Sequence, residues 1–163
     1  MSDDESAIRR LLADYCHLLD DGQFDEWIAL FDEDVVFIVM GNRLRGRDEI
    51  RSFIEPTQQE NDRGRHILSE PAIEVDGDTA LVVTDFVFVS RTNTIMSTGR
   101  YLDTMRRCPD RWRFASREIV FSGPLSLGGE QCNRSADRPA REAGEPHRGP
   151  GRGTGTGRPG RSG

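Results

Sequence analysis

Three side chains, Tyr15, Asp20 and His66, are of the types that could together take a proton from carbon. A carboxylate beside a histidine fixes the imidazole tautomer and stabilises its protonated form, so the ring works as a general base near neutral pH. A tyrosine hydroxyl next to such a pair can donate a hydrogen bond to a carbonyl or to a leaving hydroxyl. Tyr15 and Asp20 lie at the inner end of an amphipathic helix, and His66 opens an extended segment. The pair therefore exists only if the fold brings that helix and that strand together. On an ideal wheel Asp20 falls off the apolar stripe, and an acid near a helix C-terminus is unfavourable. A residue placed against local preference points to function; otherwise Asp20 is a solvated helix end. Asp21 is the fallback if the register slips by one. Tyr15 lies on the stripe, which makes it core by default, with a hydroxyl able to point into a cavity. His66 taken alone reads as a satisfied core or surface histidine. His17 points away from the stripe and reads as exposed, and His147 lies far downstream. With no second positioned histidine, no metal site is expected.

The elements that must position these groups follow from periodicity. Ser2-Asp3-Asp4-Glu5 has the form of a capping box. Ile8, Leu11, Leu12, Tyr15, Leu18 and Leu19 then recur on one helical face until Gly22, which predicts a helix from about Asp3 to Asp21. A short second helix holds Phe24, Trp27, Ile28 and Phe31. Asp32-Glu33-Asp34 breaks the pattern, and Val35 to Met40 reads as a buried strand. Gly41-Asn42 turns it, and a third helix from Gly46 carries Ile50, Phe53 and Ile54 up to Pro56. A polar loop leads to one extended segment from His66 to Asp76. Beyond the Gly77-Asp78 turn come strands over Thr79–Arg91, Ile95–Arg107 and Arg111–Ser122. Asp85 interrupts the first of these, either to line a pocket or to pair with an arginine. The order predicts an α+β fold, a strongly curved antiparallel sheet with three N-terminal helices around a cavity.

Composition divides the chain at residue 123. From Gly128 onward the only aliphatic side chains are alanines and there is no aromatic, so residues 1–122 hold the core and 123–163 read as a disordered Gly/Arg/Pro-rich tail. The chain carries −6 overall and the tail +3, so the body carries −9. An acidic body argues against nucleic acid as a partner, because phosphate contacts need a basic face. All 22 cationic residues are arginine, which codon bias in a GC-rich gene accounts for. Cys16, Cys108 and Cys132 are too dispersed for a disulfide framework or a zinc site. No apolar run follows Met1 and no segment is long enough to span a membrane, so a cytoplasmic protein with no membrane partner is expected. Gly155 to Gly160 matches G-x-G-x-x-G, but no strand precedes it and Pro159 sits inside it, so it is not read as a dinucleotide site.

Taken in order, Tyr15, Leu19 to Trp27, Leu30 to Phe37, Gly46 to Ile50, Arg65 to Ser69, Ile73 to Ala80, Gly99 to Asp103 and Arg111 to Phe114 resemble the sequence pattern of SnoaL-like proteins in the NTF2-like superfamily, over about residues 5 to 122. That superfamily includes scytalone dehydratase, bile-acid 7α-dehydratase, hexachlorocyclohexane dehydrochlorinase, polyketide cyclases, limonene epoxide hydrolase and non-catalytic members, so fold alone does not name a substrate. The resemblance implies a cone-shaped fold. Tyr15, Asp20 and His66 are most similar to the dehydratase and dehydrochlorinase branch, where an Asp–His dyad removes a proton and a leaving group departs without a cofactor. Arg117 takes roughly the place of a last-strand arginine that assists leaving-group or oxyanion charge in that branch; read by itself it is an exposed or ion-paired strand residue. Trp27, Phe37, Phe53, Phe86 and Phe88 would suit an apolar, even polycyclic, small molecule. The implied reading is a cofactor-free lyase. The alternatives are a cyclase or isomerase using the same dyad, or a non-catalytic small-molecule-binding protein. The strand at Thr79–Arg91 is apolar on both parities while helices cover one face only, which predicts a homodimer or homotrimer through the other.

Overall fold

The computed structural model describes residues 2–123. The expected disordered tail, apart from Gly123 itself, lies outside the described residues. The first helix, α1 (Asp3–Asp21), opens where the Ser2 hydroxyl accepts the Glu5 N–H at 3.2 Å. It closes at Gly22, whose φ of 74° is the left-handed turn that only glycine adopts at no steric cost. Gln23 N–H then returns to Leu18 C=O at 2.8 Å. Ile8, Leu11, Leu12, Tyr15 and Leu19 are buried along one face, as their spacing requires. Two shorter helices follow, α2 (Phe24–Ile28) and α3 (Gly46–Ile54), the latter running into a 3₁₀ turn over Glu55–Thr57.

Seven strands form one sheet: β1 (Phe31–Val39), β2 (Asn42–Arg45), β3 (Gly64–Leu68), β4 (Ala72–Asp76), β5 (Thr79–Ser90), β6 (Ile95–Arg107) and β7 (Trp112–Phe121), in the order β2-β1-β7-β6-β5-β3, with β4 also paired to β5. All neighbours are antiparallel except β1 and β7, which run parallel because the chain leaves β1 and returns to the same edge only after the whole meander. The sequence reading places four elements differently. The first strand begins at Phe31 rather than Val35, but the acidic triplet does break the ladder, since pairing with β7 shifts between Phe31 and Val36. Beyond Val39, Met40 and Gly41 both take positive φ, 49° and 78°, and fold β2 back as a tight hairpin. The segment read as one strand from His66 to Asp76 divides at Pro71, which has no N–H to give a ladder. β3 pairs the end of β5, with Leu68 opposite Phe86. β4 pairs its start, with Ala72 opposite Val83. That division bends the sheet into the curved wall of a cone.

The core faces the helices. Ala80, Val82, Thr84 and Phe86 of β5 are buried while Leu81, Val83 and Asp85 stand on the opposite face. Asp85 pairs there with Arg100 at 2.6 Å, so it does not line the cavity. Trp27, Phe31, Phe37 and Phe114 are fully enclosed. They interlock by edge-to-face contacts such as Trp27 on Phe31, 5.1 Å between centroids at 75°. Among the described residues, no helix is long and apolar enough to cross a membrane.

Gly64 begins β3 where a Cβ would press into the Val89 carbonyl of β5. Gly64→Ala is therefore expected to cost about 1–3 kcal/mol of stability through overpacking. A urea melt superimposable on that of the parent would show that β3 yields freely.

Candidate active site

α1 delivers Asp20 and β3 delivers His66 to one point. Asp20 Oδ1 lies 2.6 Å from His66 Nδ1, and Asp20 Oδ2 accepts the backbone N–H of His66 at 2.8 Å. β3 is the last strand of the sheet, so this N–H has no neighbouring strand to receive it. The carboxylate takes that role while it orients the ring. With Nδ1 donating to the carboxylate, Nε2 is left as the free acceptor, the tautomer a general base needs. The Asp20 side chain is 2% exposed and that of His66 12%, so the pair is shielded with the ring at the edge of open space. Asp21, the fallback acid, turns outward to Arg65 at 3.2 Å.

His66 and Tyr15 border a common cavity of about 160 Å³ inside the cone. Phe86, Phe88, Phe121, Leu19 and Met40 supply its apolar wall, and Tyr101, Thr57, Gln58 and Ser97 its other polar groups. The His66 ring packs on Phe88 at 4.6 Å. The volume is close to the ~150 Å³ of an apolar cavity known to hold benzene. A polycyclic ligand, which the aromatic content suggests, would have to reach beyond this volume through its open side. Phe86 stacks flat on Tyr101, 4.4 Å apart at 9°, and meets Phe121 edge-on, so the rings fill the cone rather than merely lining it. His66 also borders a second recess of about 280 Å³, between α1 and the β3–β4 segment, together with Arg9, Cys16, His17 and Glu70.

Arg117 stands elsewhere than its expected role requires. Its guanidinium is fully enclosed and makes a two-pronged bond to Asp103, Nε to Oδ1 and Nη2 to Oδ2, both 2.7 Å. It lies under the rings of Tyr15 and Tyr101, 4.0 Å from each centroid, and is not among the residues that line the cavity. Burial works against its charge, but the Asp103 carboxylate outweighs burial and keeps Arg117 protonated. Burial also pushes the Asp103 carboxyl up, with Arg117 opposing. Arg117 is thus a support beneath the two tyrosines, not a group presented to a substrate. Asp103, Tyr101 and Gln58 received no role from the sequence. Parity carried a signal for the first: Asp103 alternates with Tyr101 and Met105 on the inward face of β6, opposite Arg117.

Both phenols are held neutral. Burial pushes Tyr15 up to about 12, with Arg117 pulling it partly back, and burial likewise raises Tyr101. The Cys16 thiol is raised to about 12 by burial, so it is no nucleophile. Among the described residues Cys16 and Cys108 are free thiols, and no three His, Cys, Asp or Glu side chains are grouped to hold a metal. The site can therefore take a proton at His66 Nε2 and donate hydrogen bonds from neutral phenols.

A SnoaL-like domain model matches residues 1–118, and the chain belongs to that family. The wider NTF2-like superfamily includes dehydratases and cyclases. No curated protein matches the sequence. Among solved structures, an NTF2-like protein with a cystatin-like fold from Novosphingobium aromaticivorans is 29% identical with a TM-score of 0.62, covering 78% of this chain and 84% of that one. A second protein from that organism, provisionally assigned as a scytalone dehydratase, is 26% identical with a TM-score of 0.66, covering 73% and 84%. A protein of unknown function from Nostoc punctiforme superposes with a TM-score of 0.72 at 22% identity, covering 78% and 97%. At that identity the likeness is one of fold.

The chain has two tyrosines, both in this site, so tyrosinate absorbance reads them without interference. No tyrosinate should appear around pH 10, where an ordinary phenol is half ionised. The native state keeps these protons between pH 10 and about 12 while the unfolded chain gives them up. Stability that is fully present below pH 10 is thus lost as pH rises through that window. A smooth titration centred on the ordinary phenol value in the folded protein would show exposed phenols.

Proposed function

We propose that this protein is a cofactor-independent lyase of the dehydratase type acting on a small, mostly apolar molecule. The observation that carries this reading is the double contact between Asp20 and His66 at the wall of an apolar cavity. His66 Nε2 takes a proton from a carbon next to an activating group, and the C–H electron pair becomes the new double bond. The neighbouring C–O bond breaks, and the leaving hydroxyl takes the proton from His66 Nε2 and departs as water, which returns the imidazole to its neutral form. Asp20 holds the imidazole in register and stabilises its cationic form. Tyr15 and Tyr101, being neutral, donate to the activating carbonyl or to the leaving hydroxyl. Asp103 and Arg117 hold those two rings from below. A cyclase reading would use the same proton removal without loss of a group. A cavity of about 160 Å³ favours elimination on a small substrate, because sites for larger molecules run to roughly 300–1,000 Å³.

On the physiological substrate, His66→Ala is expected to lower kcat by ~10²–10⁴, as general-base removal typically does, with Asp20→Asn somewhat less severe. Both should keep the parent's circular dichroism. Near-parent turnover in His66→Ala would remove the dyad from the mechanism.

The protein is further proposed to act as a homodimer or homotrimer through the sheet face turned away from the helices. Leu81, Val83, Leu102 and Val120 are 56%, 38%, 39% and 44% exposed there. Val83 and Leu102 are direct cross-strand partners, so the patch is contiguous and of the kind that marks an interface. Light scattering at micromolar concentration should give a multiple of the chain mass, and Leu102→Arg should reduce it to one. A monomeric parent would show that this face has no second copy on it.

A further inference from the structure

We propose that a polar cleft beside the dyad is an oxyanion-binding site, where Arg63 and Arg91 hold a phosphate or carboxylate group of a small molecule. The cleft, about 510 Å³, lies where β3 begins and β5 ends, and it shares no lining residue with the cone cavity. It does not depend on the lyase reading. Gly64 and Ser90 are the last paired residues of β3 and β5 at this end. Arg63 and Arg91 are the next residues on the two chains, so two cations meet at the end of one ladder. Like charges on facing strands repel. Most of the described arginines are paired with a carboxylate, as Arg65 is with Asp21 at 3.2 Å. Among the described residues neither Arg63 nor Arg91 has such a partner.

Arg63 is also held in place. Its Nε donates to Gln58 C=O at 3.0 Å, and its guanidinium lies over the Phe24 ring, 5.6 Å from the centroid. It rests so closely on Gly22 that a Cβ there would fall 2.4 Å from its Cζ. The residue is half-buried, yet among the described residues Nη1 and Nη2 make no hydrogen bond and neither is enclosed. A fixed guanidinium with reachable, unmet donors is preorganised for an oxyanion. Three acids border the same cleft. Asp20 gives both oxygens to His66, and Asp21 pairs with Arg65. Glu60 is exposed and pairs with neither Arg63 nor Arg91. The acidic body as a whole repels an anion, but that repulsion is screened beyond about 8 Å at physiological salt. A bound oxyanion would feel chiefly the two arginines it touches.

Calorimetric titration of the full chain with inorganic phosphate at constant ionic strength tests this. Phosphate should bind saturably, one per chain. Arg63→Gln and Arg91→Gln should each weaken it about tenfold or more, the effect of losing charge-assisted bonds to one oxyanion. Arg91 lies in an exposed turn, so Arg91→Gln reads the site even where Arg63→Gln disturbs the fold. Arg43→Gln removes a β2 arginine that also lacks a carboxylate partner among the described residues and does not border the cleft. It should leave affinity within about twofold, since a distant charge is screened. Sulfate and malonate, titrated the same way, tell a tetrahedral group from a carboxylate. Whichever binds most tightly names the ligand's anion, and either answer keeps the site. Absence of binding by all three would overturn the assignment. So would binding that survives Arg91→Gln, or that Arg43→Gln weakens equally.

Discussion

One carboxylate holds the site together. Asp20 commits both its oxygens to one residue, the ring and the backbone N–H of His66. The backbone contact matters as much as the ring contact. An edge strand presents N–H groups that another chain could pair with, and Asp20 covers the one at His66 from α1. The same bond fixes the helix end to the sheet edge and the imidazole to its tautomer. Structure and chemistry cannot be separated here: a change that frees the ring also uncovers the edge. Gly22 and Gly64 serve this contact from either side. The first ends α1 so that Asp20 falls in its last turn, and the second lets β3 lie close against β5.

A second polar pair lies deeper. Burying Asp103 and Arg117 removes both from water, and replacing such a pair with apolar residues is often neutral or favourable to stability. Its position under Tyr15 and Tyr101 gives it a use that packing alone would not. A guanidinium 4.0 Å below each ring attracts the ring face, so the phenols are fixed by their flat sides while their edges remain for the cavity. Removing either charge would leave the other buried and unpaired, which is far more costly than removing both. The floor is thus held from below, while Met40 after β1 and Gln58 after the 3₁₀ turn are part of the cavity wall.

Much of this is legible from residue order. The bounds of α1 follow from Ser2 and Gly22, and those of β6 from the turns that flank it. What escapes is tertiary. The break at Pro71 reads as part of one strand because Ile73 and Val75 keep the alternation going. The hairpin into β2 needs positive φ at Met40, a residue with no preference for it. A helical wheel places Asp20 off the apolar stripe, yet it is 4% exposed. The reason is that β3 lies against the helix end at an angle no wheel contains. The substrate-facing role of Arg117 comes from the resemblance alone; that Arg117 is ion-paired is one of the readings of the residue itself, but its partner, Asp103, lies on a different strand and is opposite it only in the folded register.

The dyad divides two environments. In front of His66 is a room walled by Phe86, Phe88 and Phe121. Beside it is the recess with Arg9, His17 and Glu70, and Asp20 borders a polar cleft with Arg63 and Arg65. A low-dielectric room strengthens each hydrogen bond made to developing charge. In a dehydration the proton that the base takes leaves again on the departing hydroxyl, so the base is reset without solvent. His66 sits in the wall itself, with polar groups beside it, so its charge is met for as long as it holds the proton and the ring need not turn away from Asp20.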